Sequence, residues 1–395
     1  MNSKPIILFI INSLAGGGAE RVLSTIVNAS GHWSDRYDLH LALLDDEARA
    51  YPIAPHVTVH QLDCRHRLAQ SVIQLRRLVA GLRPAATLSF LTRANVANAA
   101  AMAGRGRPWL ISERVNTSAH LGSGRAAALS RAMVRLSYPR ASHLIAVSAG
   151  VVDDLASNFG VARARMSAIA NPIDHARIAA MATEAPEIVA TREDVVAAGR
   201  LVPNKNFAML LDAYAASGVG GRLILLGEGP ERAALLARSN ALGLGERLVM
   251  PGFLANPFAL LARAGLFALP SNAEGFPNGL VEAMACGLPV VATNCPSGPS
   301  EILARMRRED VVGAYAVDAG ALVPTNDAAS FAKALARIHA APDRAAMGQA
   351  ARKRSLDYGV ERATQAYWRL IEAALPDATR APGAAVPLSL RSEAA

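Results

Sequence analysis

SNAEGFPNGLVEAMACGLPVVATN, residues 271–294, is the stretch on which the reading of the whole chain turns. It runs from a strand end through a turn into a helix and on to the next strand. Pro277 suits the first position of a helix, and Gly287 suits the C-terminal cap before Pro289 opens a new apolar run. Glu274 therefore falls in the turn and Glu282 within the helix, eight positions later. Carboxylates in these places can accept hydrogen bonds from sugar and ribose hydroxyls. The backbone amides of Gly275, Phe276, Asn278 and Gly279, around Pro277, can donate to a phosphate. Helix-start or surface acids are the plainer alternative for each glutamate.

Outward from this stretch, apolar runs alternate with helical patterns. IILFII (6–11), ATLSFL (86–91), PWLIS (108–112) and SHLIAVS (142–148) form one series; after a polar stretch, DVVAAG (194–199), RLILLG (222–227), RLVMPG (247–252), GLFALPS (265–271) and PVVAT (289–293) form another. Short apolar runs separated by helices read as parallel strands with ligand sites at their carboxyl ends. At 395 residues the chain exceeds one ordinary core. The expected fold is therefore α/β: two doubly wound, Rossmann-like domains facing each other across a cleft. The expected boundaries are 1–175 for the first domain and 190–355 for the second. A C-terminal helix at 356–375 is expected to cross back to the first domain, followed by a disordered tail at 376–395.

Hydrophobic residues make up 52% and charged residues 18%, which excludes a disordered chain. Cys64, Cys286 and Cys295 are an odd number without a CxxC pair, so neither a disulfide framework nor a zinc site is expected, and a reducing, cytoplasmic compartment fits. The first apolar run meets glycines too soon for a signal peptide or a membrane span. Of the net charge of +9, most belongs to the first domain: residues 1–175 hold 19 Lys and Arg against 11 Asp and Glu, and the remainder hold 22 against 21. Arg65, Arg67, Arg76, Arg77 and Arg83, then Arg125, Arg131, Arg135 and Arg140, carry much of the excess. Such a face attracts phosphates or anionic headgroups, so peripheral contact at the cytoplasmic face of a membrane is an expectation, with a merely solvated basic face as the alternative. Nucleic acid is not expected, because aromatics total 5% and Tyr138 alone falls among these arginines.

Two further turns bear on anions. The first strand leads into Gly16-Gly17-Gly18, whose amides open a helix and welcome a phosphate; a simple tight turn is the alternative. As a dinucleotide fingerprint it is poor, because Arg21 stands where a close-packing glycine belongs. In the second series, DVVAAG leads to Arg200 and, five residues on, Lys205. An arginine grips phosphate bidentately and a lysine adds a compact charge, although such pairs are also common on surfaces. No Asp-x-Asp stands at a strand end, so neither a metal nor another cofactor is expected.

Together GGGAER, AAGRLVPNKN, LLGEGPER, PGFLANP and EGFPNGLVEAMACGLPVVAT resemble the retaining glycosyltransferase family four of the GT-B class, over roughly residues 5–375. That family's signature is two glutamates separated by seven residues, here Glu274 and Glu282. The resemblance implies that Glu282 binds ribose hydroxyls, that Glu274 meets the transferred sugar, and that Arg200 and Lys205 hold the diphosphate. It also places Gly227, Gly229 and Phe253 around ribose and base. ISERVNTSAH (111–120) is similar to a family loop, making Glu113, Arg114 and Asn116 candidates for donor or acceptor contact and His120 a candidate for the transferred sugar. CPSGPSEIL (295–303) resembles members that assemble lipid-linked oligosaccharides, O-antigens and exopolysaccharides.

The implied activity is transfer of a hexosyl or N-acetylhexosaminyl group from a nucleotide sugar, UDP-linked by preference, to a glycan or polyprenyl-diphosphate-linked saccharide. The competing classes are a nucleotide-sugar epimerase of the same fold and a catalytically inactive sugar-nucleotide-binding protein. A nicotinamide-linked oxidoreductase lacks both its glycine fingerprint and the acid that should follow it.

Overall fold

The structure is a computed structural model that describes residues 4–121 and 124–379. The chain divides into two compact units. One joins residues 1–172 to the segment from Val360 onward, and the other is Ile173–Gly359.

In the first unit the strands are β1 (Ile6–Ile11), β2 (Asp38–Leu43), β3 (Val57–Gln61), β4 (Ala86–Phe90), β5 (Trp109–Glu113), β6 (His143–Ala146) and β7 (Met166–Ala168). All pair in parallel in the order β3-β2-β1-β4-β5-β6-β7. Because β1 is buried on both faces, it reads as an unbroken apolar run rather than an alternating one. The helix Val360–Ala374 packs into this unit's core through Ala363, Tyr367, Trp368, Leu370 and Ile371. Trp368 stacks against Trp33 and Tyr37, and its indole N–H donates to Ser30 Oγ at 2.8 Å, so the one polar atom of a buried ring is satisfied.

The second unit repeats the plan with β8 (Val195–Ala198), β9 (Leu223–Leu226), β10 (Leu248–Gly252), β11 (Leu266–Leu269), β12 (Val290–Thr293), β13 (Tyr315–Val317) and β14 (Gly320–Val323). The order is β10-β9-β8-β11-β12-β14-β13, with only the edge strand β13 antiparallel. Its core gathers Val195, Leu210, Leu223, Leu225, Leu266, Val291 and Phe331. The strand order reverses direction between β8 and β11, which is where an open α/β sheet leaves a crevice at its carboxyl ends.

Of the segment expected to be a disordered tail, Asp377–Thr379 forms a 3-10 turn and residues 380–395 lie outside the described residues. No described helix is long and apolar enough to cross a membrane.

Candidate functional site

The turns that follow β8 and β11 flank the reversal point of the second sheet and are stitched to each other. Asn204 Nδ2 donates to Ala273 O at 2.7 Å, and the Asn272 amide donates to Asn204 O at 2.8 Å. Asn206, held in the left-handed region at φ +52°, donates to Asn272 and Asn326 side chains, and the helix Phe207–Ser217 starts from it. The consequence is a fixed distance between the β8 turn, which carries the cations, and the β11 turn, which carries the acid.

Lys205 Nζ meets Glu274 Oε1 at 2.5 Å, with Glu274 nearly buried and Lys205 partly exposed. Ser271 Oγ donates to the same carboxylate oxygen at 2.6 Å, and Thr293 Oγ1, at the end of β12, donates to Ser271 O at 2.5 Å. The Glu274 amide donates to Pro296 O, tying the acid's own backbone to the next turn. Arg200 is exposed beside Gly199 and forms no ion pair among the described residues. A cation balanced by a single carboxylate, on the same turn as a second cation open to solvent, is suited to receive a dianion.

Helix Asn278–Ala285 begins one residue later than the sequence suggests. Pro277 is its N-cap, Cys286 its C-cap, and Gly287 follows at φ +82°. Glu282 lies in this helix, half-buried. The Phe276 side chain points into the core, edge-on to Tyr358 at 5.3 Å, so only its backbone is available to a ligand. Gly227 and Gly229 stand where no side chain fits: a Cβ at either would lie 2.1 Å from Gly199 O or 2.3 Å from Leu201 O, respectively. They are glycines because the β9 turn presses on the β8 turn, supporting Arg200 from behind. Phe253, after β10, is 82% exposed.

Two domain models match successive parts of the chain: "Glycosyl transferase 4-like domain" over residues 17–172 and "Glycosyl transferases group 1" over residues 182–354. A Campylobacter jejuni protein, the N-acetylgalactosamine-N,N'-diacetylbacillosaminyl-diphospho-undecaprenol 4-alpha-N-acetylgalactosaminyltransferase, is 31% identical over 304 residues, spanning 74% of this chain and 81% of its own length. The chain belongs to the group 1, family-four glycosyltransferases. This glycosyltransferase is also 25% identical over 360 residues to the amylovoran biosynthesis glycosyltransferase AmsD of Erwinia amylovora, covering 90% and 96% of the two chains. Among solved structures, Anabaena HepE in complex with UDP shares the fold at a TM-score of 0.71 and 22% identity, covering 92% of this chain and 99% of that one. Sucrose-phosphate synthase of Thermosynechococcus elongatus does so at 0.73 and 18%, over 93% and 98%. Both are GT-B proteins, and the two parallel-sheet units of this transferase are of that class.

The first unit of the transferase departs more from its sequence reading. Glu113 is the last residue of β5 and, with Arg114, is buried rather than presented from a loop. Glu113 accepts from Tyr138 Oη at 2.5 Å and from the Arg114 amide at 3.0 Å. Burial raises its pKa, against those hydrogen bonds, and burial likewise raises Tyr138 and lowers Arg114. Arg114 Nη1 donates to Tyr367 Oη at 2.6 Å and to Ser112 Oγ, and its guanidinium lies over the Phe90 ring. Arg114 thus fastens the C-terminal helix to the end of β5 through Nη1, while its Nε and Nη2 are buried without a hydrogen-bond partner. Asn116 caps the short helix Thr117–Leu121, its Oδ1 accepting from the Ala119 amide. His120 is exposed on that helix, not in a loop.

Gly17 caps helix Gly18–Asn28 as expected of an anion-binding turn, but the Glu20 carboxylate folds back over it: a Cβ on Gly17 would lie 2.1 Å from Glu20 Oε2. Burial raises the Glu20 pKa, while its own amide donates to it. The chain's own carboxylate thus sits where an anion was expected.

Sequence reasoning missed Ser271 and Thr293, which orient Glu274, and the asparagines that lock the turns. All lie inside or beside quoted motifs. A small hydroxyl three residues before a turn acid was the available signal.

Proposed function

We propose that this glycosyltransferase moves a hexosyl or N-acetylhexosaminyl group from a UDP-sugar, with retention of anomeric configuration, to a saccharide carried on polyprenyl diphosphate at the cytoplasmic face of a membrane. The observation that carries the proposal is the Lys205–Glu274 pair beside exposed Arg200 at the reversal point of the second sheet. An arriving diphosphate competes with Glu274 for Lys205. Once displaced, Glu274 is free to accept a hydroxyl of the transferred sugar, still oriented by Ser271. As the glycosidic bond to the diphosphate breaks, the acceptor hydroxyl oxygen bonds to the anomeric carbon and gives its proton to a donor phosphate oxygen, while the negative charge growing on the leaving diphosphate is held by Arg200 and Lys205. Glu282 takes the ribose hydroxyls, and the exposed ring of Phe253 offers a face to the base.

No covalent intermediate and no metal is part of this scheme, since two cations supply the charge stabilisation. The UDP complex of HepE supports a uridine donor, and the C. jejuni relative's undecaprenol-linked substrate supports a lipid-linked acceptor. The basic first unit is the side proposed for that acceptor and for the membrane.

The test is a panel of UDP- and GDP-sugars with an undecaprenyl-diphosphate disaccharide acceptor, run with and without EDTA, the product anomer being read by NMR. Transfer with retention, insensitive to EDTA, is expected. Interconversion of the donor sugar without acceptor would replace the proposal with an epimerase, and loss of transfer in EDTA would remove the metal-free clamp.

A further inference from the structure

Three helices cover the side of the first sheet opposite the C-terminal helix. Leu75 and Val79 of helix Leu68–Leu82 pack with Ala94, Ala97 and Ala101 of helix Thr92–Met102 on Leu8 and Ile10 of β1. Phe9, between those two strand residues, points to the other side of the sheet, where it meets Trp368. Helix Arg125–Ser137 packs against helix Thr92–Met102 as well, so the three lie in one layer.

Helix Arg125–Ser137 buries Ala127 and Val134. Leu129 and Leu136 are seven residues apart, so they share one line of the helix, and that line lies opposite Val134. They are 64% and 63% exposed, and Ala128 and Ala132 beside them are exposed too. On helix Leu68–Leu82, Ile73 is 43% exposed near the exposed Arg76 and Arg77. Among the described residues, Ile73, Leu129 and Leu136 are all the large hydrophobic residues that the first unit exposes. Single exposed leucines are ordinary, but a unit that confines them to one layer marks that layer.

The charge of the layer has one sign. The three helices contain no Asp or Glu. Arg76, Arg77 and Arg135, with Arg140 just beyond the last helix, are exposed and form no ion pair among the described residues. Arg135 donates to Asn158 O at 2.9 Å and Arg140 to Leu136 O, contacts that leave both charges unneutralised. Arg93, which opens the middle helix, is paired with Asp45, and the partly exposed Val96, Ala99 and Ala100 of that helix are neutral. Acids begin only on the next helix, Ala149–Phe159, where Asp153 pairs with Arg163 and Asp154 is buried.

We propose that this layer docks on an anionic lipid bilayer, with Leu129 and Leu136 entering the headgroup boundary and the exposed arginines meeting lipid phosphates. A bilayer offers apolar depth to the leucines and negative charge to the arginines at once. A second copy of the chain fits worse, because a two-fold contact would set arginines against arginines with no acid between them. The docking deepens the proposed function by assigning the residues that meet the membrane; its consequence for transfer rests on the lipid-linked acceptor, and the lipid binding itself does not.

The test is co-sedimentation of the full chain with sucrose-loaded phosphatidylcholine vesicles, with and without about one third phosphatidylglycerol. Binding to the anionic vesicles should be at least ~10-fold stronger than to the neutral ones, since each basic residue near the surface contributes a factor of about 5. It should weaken in about 0.5 M salt. Arg76→Glu with Arg77→Glu should lower it at least ~10-fold at low salt. Leu129→Ser with Leu136→Ser should lower it at least ~10-fold at either salt concentration, by removing the part that salt does not screen. All four positions are exposed, so melting temperatures should hold, and Leu236→Ser, exposed on the second unit, should bind as wild type does. Transfer to an undecaprenyl-linked acceptor in anionic vesicles should fall with binding, while transfer to a short-chain, water-soluble acceptor stays unchanged. Absence of transfer to either acceptor would defeat the proposed function and leave the vesicle result to decide the docking. Wild type that ignores anionic vesicles, or leucine variants that bind them as wild type does, would overturn it. So would self-association, or capture by polyglutamate, that the leucine variants abolish in the absence of any vesicle binding.

Discussion

In the Ile173–Gly359 unit, the cations at the strand ends stay within reach of solvent: Arg200 is exposed, and partly exposed Lys205 is balanced by one carboxylate, that of Glu274. In the other unit, Glu113 and Arg114 sit at the end of a strand in a sheet of nearly the same order, yet both are buried and committed to Tyr138, Tyr367 and Ser112. The same residue types at the same kind of position thus do different work. Where the charges face water and a single partner, they can change partners; where they are enclosed by aromatic rings, they hold two segments of chain together.

The comparison breaks most visibly at Arg114. Removing one member of a buried charged network leaves the rest uncompensated, at a cost of about 3–5 kcal/mol. Arg114→Leu should lower the unfolding free energy by that order in urea titrations. A loss of turnover with unchanged stability would make Arg114 a substrate-binding residue after all.

Lys205→Ala should weigh more on turnover than on stability. Loss of one preorganised donor to a developing anion costs about 3–4 kcal/mol, or ~10²- to 10³-fold in turnover, while the melting temperature falls less than in Arg114→Leu, because nearly buried Glu274 loses its cation but keeps the Ser271 hydroxyl. Near-normal turnover would remove Lys205 from the phosphate clamp.

Acid should separate the units more gently. Burial pushes His143, on β6 of the first unit, down to about 4 from its ordinary 6.5, with Ser167 at 2.9 Å. Between those values the unfolded chain binds a proton that the folded chain does not, so stability falls as pH drops from 6.5 towards 4, by up to about 3 kcal/mol. In the second unit, burial would raise Asp194, but hydrogen bonds from Arg222 and the Thr191 amide hold it below 3.8, so its contribution survives until lower pH. Urea titrations at pH 5 and pH 7 should show His143→Gln losing less stability on acidification than wild type. An equal loss in wild type and His143→Gln would contradict it.

The parallel strands of the two cores were legible because burial on both faces makes them continuous apolar runs. β2 and β3 were not: His40 and Asp38 interrupt DLHLAL, and VTVHQ exposes alternate residues at the sheet's edge. β13 and β14 hid in a segment too short and too small-chained to carry a period. For the site, Arg200, Lys205 and Glu274 were legible because turn residues placed them at strand ends. The burial of Glu113 and Arg114 was not, since it depends on Tyr138 and on Tyr367, the latter more than 250 residues distant in sequence. Nor was the fold-back of Glu20 over Gly17, because a glycine turn reads as an open anion site whatever side chain later covers it.

The central claim is that Lys205 is shared between Glu274 and the donor diphosphate. Calorimetric titration of UDP tests it through signs rather than sizes. UDP carries no sugar for Glu274 to hold, so Glu274→Gln should bind UDP more tightly than wild type, by releasing Lys205 and removing a nearby negative charge. Lys205→Ala should bind it ~10-fold or more weakly, as expected for losing a hydrogen bond to a charged group. Affinities that move in the same direction in both variants, or in neither, would contradict the account.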